Sequence, residues 1–331
     1  MRKALIVGCS GQDGRYLFRL ATEKQYEVLG FSRNRVVCSG DWAGGAVDFR
    51  QAAAVGGVLA AYQPHEIYFL AAFHHSSEDP RIDDHGLIER SFEVNALALN
   101  NVLSGIANES PRSRLFYAAS SRIFGAPTTT RQDETTPINP VCPYGISKAA
   151  GLHLCRYYRR NQAVHASVGI FYNHESPLRA DKFISKKIVS AVVRISKGSK
   201  EKLVIGDLSA LVDWGYAPDY VLAAWQILQL DEPDDFVIGT GVTHSVREFV
   251  EAAFLALGMD WTRHVAEDAA LLTRTAPVSI LRADTGKLQR MTGWRPQVTF
   301  EGMVREMVEA EVRGANSMAD PGIYPDLQRG G

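Results

Sequence analysis

The stretch KALIVGCSGQDGRYLFRLATEK, residues 3–24, decides the fold. Its apolar start, KALIVG, predicts a buried strand, and its end, GRYLFRLATEK, has the pattern of a helix. Glycines in the intervening GCSGQDG allow the backbone to approach a pyrophosphate, which then binds the positive end of the helix. The alternative is a glycine-rich turn without a ligand. We predict a dinucleotide site, with these cofactor-binding residues in the turn: Gly8, Gly11, Gln12, Asp13 and Gly14.

The same alternation of strand and helix continues through the first half of the chain. Helical patterns at 91–107 and 144–160 separate apolar runs that predict further strands. These runs are YEVLGFS (26–32), EIYFLAA (66–72), RLFYAAS (114–120) and HASVGIFYN (165–173). Such alternation indicates crossover units and a parallel sheet covered on both faces. The predicted fold class is α/β, a Rossmann-type doubly wound parallel sheet with a smaller C-terminal α/β substrate domain.

Beyond Asn173 the pattern loosens. It indicates a basic helix around 183–197, a strand KLVIG, a turn DWGYAPD and a strand DFVIGTG. A helix then opens with Ser245 and Glu248 in capping-box spacing. We predict an NADP-binding domain over 1–178, completed by about 213–242. The substrate-binding domain is predicted over 179–212 and 243–315, with a surface tail over 316–331.

Composition excludes several classes of function. The chain has 331 residues, 46% of them hydrophobic, and a net charge of −1, which is ordinary for a globular enzyme. It has no basic block for nucleic acid, no apolar run that could span a membrane and no signal-peptide pattern, so we expect a cytoplasmic enzyme. Its four cysteines lack the spacing of a disulfide framework or a metal site, so we expect no metal.

The end of the second strand indicates which dinucleotide binds. A carboxylate there would accept the ribose hydroxyls of NAD, but the sequence offers Ser32, Arg33 and Arg35. These groups can bind a 2′-phosphate, so NADP is favoured. The alternative is that the arginines are only solvated loop residues. The predicted cofactor-binding set also includes Asp48, Leu70, Ala71 and Ala72, the last three passing under the cofactor.

Acid–base chemistry is indicated by FYAASSRIFG (116–125) and PYGISK (143–148). Tyr144 lies four residues before Lys148, on one face of a helix, so we expect the ammonium to lower the phenol pKa. Tyr144 could then exchange a proton with a substrate hydroxyl, and Ser120 could form a hydrogen bond with the same oxygen. Taken alone, the tyrosine–lysine spacing occurs often by chance on exposed helices.

Together these motifs resemble the extended short-chain dehydrogenases/reductases, in which this glycine spacing is typical, and specifically the GDP-mannose 4,6-dehydratase family. The resemblance covers about residues 1–312. It rests on GCSGQDGRYL, PYGISK, FYNHESPLR, DWGYAPDYV, DEPDDFVIGTGVTHSVREFVE and GWRPQVTFEGMVREMV.

The resemblance implies an NADP-dependent enzyme acting on a nucleoside-diphosphate hexose, with GDP favoured, as a homodimer or homotetramer. It places Ser120 where the family has a threonine at the sugar C4 hydroxyl, and Tyr144 with Lys148 at the catalytic pair. It places Asn173 and Arg274 at the substrate diphosphate. The family reaction is oxidation at C4, proton loss at C5, water loss from C6 and return of the hydride to C6.

Three departures from the family leave alternatives open. Arg122 stands where the family has the glutamate that acts as base at C5 and acid at C6, and a guanidinium cannot be that base. Val212 replaces an arginine, and Pro277 with Ser279 replace acidic residues. The hypotheses are a dehydratase with another base, such as Ser121 or a bound water; a redox-only 4-ketoreductase or epimerase; and a non-catalytic NADP-binding sensor.

Overall fold

The computed structural model describes residues 1–33, 35–76, 79–271 and 280–314. Arg274, Pro277, Ser279 and the tail 316–331 lie outside the described residues. No helix among the described residues is long and apolar enough to cross a membrane.

Within the described ranges the strands follow one another along the chain in this order. They are β1 (Lys3–Val7), β2 (Glu27–Ser32), β3 (Arg35–Cys38), β4 (Glu66–Phe69), β5 (Arg114–Ser120), β6 (His165–Phe171), β7 (Asn173–Glu175), β8 (Leu203–Ile205), β9 (Leu211–Tyr216), β10 (Asp235–Ile238), β11 (Thr243–Ser245) and β12 (Val265–Glu267).

The described α-helices alternate with these strands. They are α1 (Gln12–Glu23), α2 (Ala52–Tyr62), α3 (Asp84–Phe92), α4 (Ala98–Glu109), α5 (Pro143–Asn161), α6 (Ile184–Ser196), α7 (Ala217–Ile227), α8 (Val246–Leu255), α9 (Gly286–Thr292) and α10 (Phe300–Val312). A π-helix, Glu93–Leu97, joins α3 to α4, and a 3₁₀-helix, Ser121–Phe124, follows β5.

The large sheet has, in the described part of the chain, the strand order β10-β6-β5-β4-β1-β2-β3. All neighbouring pairs are parallel except β2 with β3, which is antiparallel. The chain moves outward from β1 to both sides, and a crevice at the carboxyl ends of the strands is the expected ligand site at such a switch. The predicted Rossmann-type fold is confirmed.

Two hydrophobic cores, counted among the described residues, support this arrangement. The first surrounds the large sheet, where α5 packs on β5 and β6, α1 on α7, and α2 on α4. The second lies between α6, α8 and α10 and includes Trp214 of β9. In the described chain β9 also forms a smaller sheet, parallel to β7 and antiparallel to β11.

The predicted turn DWGYAPD is wrong. Residues 211–216 form strand β9, and α7 begins immediately after it, at Ala217. Pro218 lies in the first turn of that helix, where proline is favoured because the missing N–H has no intrahelical partner. Gly215 lies within β9, and its lack of a side chain makes room for Tyr220, because a Cβ there would lie 2.3 Å from the Tyr220 ring. The glycine and the proline therefore serve packing and helix initiation.

Candidate active site

The glycine turn has the shape that a dinucleotide needs. Gly8 adopts φ +101°, and a Cβ there would lie 2.7 Å from the Ala71 nitrogen. A Cβ on Gly14 would lie 2.3 Å from the Gly8 carbonyl oxygen. No side chain caps α1 at Gly11, so the positive end of the helix is left to an anionic ligand. The turn therefore fits a pyrophosphate.

Gln12 and Asp13 bind a neighbouring segment through their side chains. The Asp13 carboxylate lies 3.0 and 3.1 Å from His174 Nε2, and Ser176 Oγ donates to Gln12 Oε1 at 2.8 Å. Burial alone would raise the Asp13 pKa and lower that of His174. Their mutual attraction outweighs burial, so the pKa of Asp13 is lowered and that of His174 is raised. The pair joins the glycine turn to residues 173–176.

The side chains that are predicted to bind the 2′-phosphate of NADP lie at and after the end of β2. Ser32 ends the strand. Arg33 is exposed, Arg35 is partly buried in β3, and neither forms an ion pair with a carboxylate in the described ranges. Asp48 already has a partner, since its carboxylate lies 2.8 Å from Arg50 Nη2.

Leu70, Ala71 and Ala72 directly follow β4, at the carboxyl edge of the sheet. The Leu70 nitrogen donates to the Val7 carbonyl at 2.9 Å, which holds this segment beside the glycine turn. The structure therefore brings the two predicted cofactor segments together.

The acid–base residues also meet at this edge. Ser120 ends β5 and Tyr144 lies in the first turn of α5, near enough for Ser120 to lower the pKa of the Tyr144 phenol. Buried Lys148 lies one turn further along α5 and donates to the Ala118 carbonyl at 2.8 Å. The strand end and the helix start thus form one constellation.

Burial, more than charge, sets the pKa values of this constellation. It raises the pKa of Tyr144 to about 12, against the lowering effect of Ser120 and Arg179. It lowers the pKa of Lys148 to about 7. The expectation that Lys148 lowers the Tyr144 pKa is wrong for the protein alone, because Nζ is directed to Ala118 and lies 5.8 Å from the Tyr144 ring centroid.

Arg122 lies in the 3₁₀-helix that follows Ser120. Its backbone N–H donates to Ser120 Oγ at 3.3 Å, so Ser120 caps this helix. The partly buried guanidinium has no hydrogen bond or ion pair with any residue in the described part of the chain. Arg122 is therefore a cation at the site that is available to an anionic group.

His74, which the sequence reasoning missed, contacts Tyr144 directly. The two ring centroids are 4.9 Å apart in a T-shaped arrangement, and the imidazole stacks on Phe183 at 5.4 Å. Burial, with the charges of Lys182, Arg179 and Arg122, lowers the His74 pKa to about 4. A histidine two residues after LAA was the available signal, but that signal is weak.

The predicted substrate residues are only partly described. Asn173 begins β7 and is exposed. Nearby Arg179, also missed, forms an ion pair with buried Glu175 at 3.0 Å, and its guanidinium lies 3.5 Å from the Phe183 ring centroid. Arg274 lies outside the described residues. In the described ranges no group of acidic, histidine or cysteine side chains could hold a metal ion.

This sheet, with a serine at a strand end and a tyrosine–lysine pair on the next helix, defines an extended short-chain dehydrogenase/reductase. The sequence model of the GDP-mannose 4,6 dehydratase family matches residues 5–307. The chain belongs to that family, whose members are nucleotide-sugar-modifying enzymes.

Relatives match over nearly their whole length. GDP-mannose 4,6 dehydratase 1 of Arabidopsis thaliana is 35% identical over 98% of this chain and 94% of its own. GDP-mannose 4,6 dehydratase of Homo sapiens is 34% identical over 93% and 91%, respectively.

Solved structures agree on the fold. RMD from Pseudomonas aeruginosa, complexed with NADPH, superposes with a TM-score of 0.78 at 18% identity, covering 95% of this chain and 100% of its own. UDP-glucose 4-epimerase of Thermus thermophilus, in complex with NAD, gives a TM-score of 0.76 at 24% identity, covering 95% and 99%.

Proposed function

We propose that this protein is an NADP-dependent 4,6-dehydratase of a GDP-linked hexose. The observation that carries the proposal is that Ser120, Tyr144 and buried Lys148 come together at the crevice edge of a chain in this family. The names of the relatives supply the substrate class and the reaction. The residue roles below belong to the same proposal.

NADP would be held by the turn at Gly8, Gly11 and Gly14 and by the cations Arg33 and Arg35. When bound, the nicotinamide supplies the reversible hydride chemistry at C4 and C6. When C4 is oxidised, the Tyr144 oxygen takes the hydroxyl proton as its own proton passes on, and when the ketone is reduced the transfer runs in reverse. Lys148, with its pKa near 7, is suited to relay that proton.

Arg122 supports this reaction as a cation. Guanidinium remains protonated at any working pH, so Arg122 cannot remove the C5 proton. With no protein partner in the described residues, it can stabilise negative charge on the C4 oxygen when C5 loses its proton. This role keeps Arg122 in the site without making it the base.

The same arginine favours the second candidate, a 4-ketoreductase or epimerase that transfers hydride only. Wild-type protein is incubated with GDP-mannose and NADP, and the 4-keto-6-deoxy sugar is measured by mass spectrometry and NMR. We expect that product. Oxidation at C4 without formation of the 4-keto-6-deoxy sugar would show that the protein is the redox-only enzyme.

Tyr144→Phe tests the proton role. We expect product formation to fall about a hundred- to ten-thousandfold, while NADP affinity stays within a factor of three. Tyr157→Phe is the matched control, because Tyr157 is exposed on the same helix. Activity of Tyr144→Phe within tenfold of wild type would remove Tyr144 from the mechanism.

The choice of NADP is tested by Arg33→Ala. A charge-assisted contact with the 2′-phosphate is worth about 1.5–3 kcal/mol, so we expect NADP affinity to fall about ten- to hundredfold and NAD affinity to stay unchanged. Titration calorimetry measures both, with exposed Arg112→Ala as the control. Equal effects on the two dinucleotides would contradict the assignment.

The homo-oligomeric state, the cytoplasmic location and the domain boundaries stay predictions. Sedimentation analysis tests the first: a dimer or tetramer is expected, and a monomer at micromolar concentration would contradict it.

A further inference from the structure

His74 is the basic group next to Tyr144 that the proposed mechanism does not yet use. Its Nδ1 is buried without a hydrogen-bond partner, and Nε2 has none among the described residues. The ring is held between the edge contact with Tyr144 and the stacked ring of Phe183. An imidazole without any hydrogen bond in such a place calls for a ligand or a chemical role.

The backbone around His74 is clamped on both sides. Asn95 Oδ1 accepts from the Phe73 N–H at 2.8 Å, and its Nδ2 donates to the Phe73 carbonyl at 3.2 Å. Lys182 Nζ donates to the His74 carbonyl at 2.9 Å and, at the same distance, to Asp79. Such support from neighbouring residues is what a reacting side chain needs to keep its position.

Other candidate bases near Tyr144 are already engaged. In the described part of the site the carboxylates of Asp13, Asp79 and Glu175 are paired with His174, Lys182 and Arg179, respectively. His75, next in sequence, lies 2.9 Å from the Pro80 carbonyl through Nε2. Among the titratable groups described here, only His74 both contacts Tyr144 and has a buried ring nitrogen without a hydrogen bond to the protein.

The position of His74 next to Tyr144 suits a role in the chemistry at C5 and C6 of the sugar. A sugar whose C4 oxygen is bonded to the Tyr144 hydroxyl carries C5 one bond away and C6 two bonds away. His74 contacts the ring of Tyr144, and Arg122 is near enough for its charge to act on His74. A sugar bound in this way would place C5 and C6 near the imidazole and the guanidinium.

We propose that His74 is the catalytic residue that takes the C5 proton and delivers it to the departing C6 hydroxyl. This inference rests on the proposed dehydratase function. With C4 as a ketone, the C5–H bond breaks, the proton goes to a ring nitrogen, and the electron pair forms an enolate stabilised by Arg122. The enolate electrons then form C5=C6, the C6–O bond breaks, and the hydroxyl leaves as water with the proton of His74.

The electrostatics of the site agree with both roles. Burial of the ring, with the cations of Lys182, Arg179 and Arg122 and against the effect of Asp79, keeps His74 neutral near pH 7, so a lone pair is present. Its pKa of about 4 is close to that of an ordinary glutamate, so its basicity matches the carboxylate that the family has in place of Arg122. Once protonated, it is a strong enough acid to donate to the leaving hydroxyl.

The test uses the probe GDP-4-keto-6-deoxymannose in D₂O, which presents an acidic C5–H without any preceding hydride step. Deuterium at C5 is followed by NMR for wild type, His74→Gln and the neighbouring control His75→Gln. We expect His74→Gln to slow the exchange at least a hundredfold and His75→Gln to stay within threefold. NADP affinity is measured for each variant as a check on folding.

A second variant separates chemistry from structure. His74→Ala should lose exchange to the same extent and regain it with added imidazole, which a purely structural residue would not show. Exchange in His74→Gln at the wild-type rate would overturn the proposal, as would a wild type that exchanges neither this probe nor C5 of GDP-mannose. In another outcome, wild type exchanges C5 of the probe through His74 and yet forms no 4-keto-6-deoxy sugar from GDP-mannose. That result would contradict the dehydratase function while supporting His74 as the base at C5.

Discussion

Two glycines of the nucleotide turn differ in what surrounds them. A Cβ on Gly14 would lie 2.3 Å from the Gly8 carbonyl oxygen, whereas on Gly11 the nearest atom would be 3.4 Å away. We expect Gly14→Ala to lower the free energy of unfolding by about 2 kcal/mol or more, because backbone must move. Gly11→Ala should leave stability within about 1 kcal/mol, since φ is −70° there.

The cofactor distinguishes the two variants further. We expect Gly11→Ala to bind NADP at least tenfold more weakly, because a methyl group at the helix start obstructs the pyrophosphate. Urea unfolding and titration calorimetry measure the two effects. A Gly11→Ala protein with wild-type NADP affinity would show that the pyrophosphate does not approach this residue.

Sequence reasoning finds residues whose role follows from local spacing. The glycine turn, Ser120 and the Tyr144–Lys148 pair belong to this kind, and the structure brings them to one sheet edge. His74 could not be found in this way, because its environment comes from Phe183 and from cations more than forty residues away. The predicted lowering of the Tyr144 pKa is wrong for the same reason, since the burial that raises this pKa depends on tertiary packing.

Among the elements, the π-helix Glu93–Leu97 has a distinct function in packing. Short π-helices often mark functional positions. This one places buried Asn95 so that it bonds the Phe73 backbone and donates to Ser147 Oγ of α5 at 3.0 Å. A helix was predicted over 91–107, but not its π-turn, because the turn is stabilised by these distant contacts.

Asn95→Ala should therefore destabilise the protein. The partly buried Phe73 N–H would lose its partner, which costs about 1–3 kcal/mol, and the His74 loop would lose its clamp. Urea unfolding measures the loss, with exposed Asn108→Ala as a control expected within about 0.5 kcal/mol. Equal stabilities of the two variants would show that Asn95 contributes nothing to the arrangement.

The contact between α1 and β7 makes stability depend on pH. His174 has a raised pKa, so its contribution is complete below the ordinary value of 6.5 and is lost as pH rises through the folded value. Asp13 has a lowered pKa, so its contribution is present above 3.8 and is lost as pH falls through the folded value. The pair is therefore most stabilising at mildly acidic pH.

His174→Gln tests this dependence. We expect the difference in unfolding free energy between wild type and the variant to be largest near about pH 5.5 and to shrink toward about pH 9. Exposed His153→Gln should show no such trend. A difference that grows with rising pH would contradict the assigned direction of the His174 pKa.

For the whole molecule, strand and helix alternation was enough to predict the large sheet, since each apolar run needs a crossover to reach its parallel neighbour. The antiparallel edge strand β3 and helix α2 were not predicted. The sequence of α2, AAAVGGVLAAY, is apolar almost throughout and has no helical periodicity. The sequence predicts a turn where β9 lies, because the contacts of β9 with β7 and β11 depend on residues far along the chain.

Asp213 of β9 links the two cores. Its buried carboxylate accepts from the Thr240 N–H and hydroxyl at 2.9 and 2.6 Å, from the Gly241 N–H at 2.9 Å and from the Ala283 N–H at 3.0 Å. Its neighbour Trp214 belongs to the second core, whereas Ala283 belongs to the first. One side chain thus fixes the strand of the smaller sheet against two segments that pack on the larger one.

Asp213→Asn should loosen this link. The amide offers one acceptor oxygen in place of two and turns its NH₂ toward buried donors, so we expect a loss of about 2–4 kcal/mol in unfolding free energy. Exposed Asp231→Asn is the matched control, expected within about 0.5 kcal/mol. Urea unfolding followed by tryptophan fluorescence and by circular dichroism shows whether the cores still unfold together. Because Asp213 is the residue that ties them, we expect the two transitions to separate in the variant, and coincident transitions at wild-type stability would refute the link.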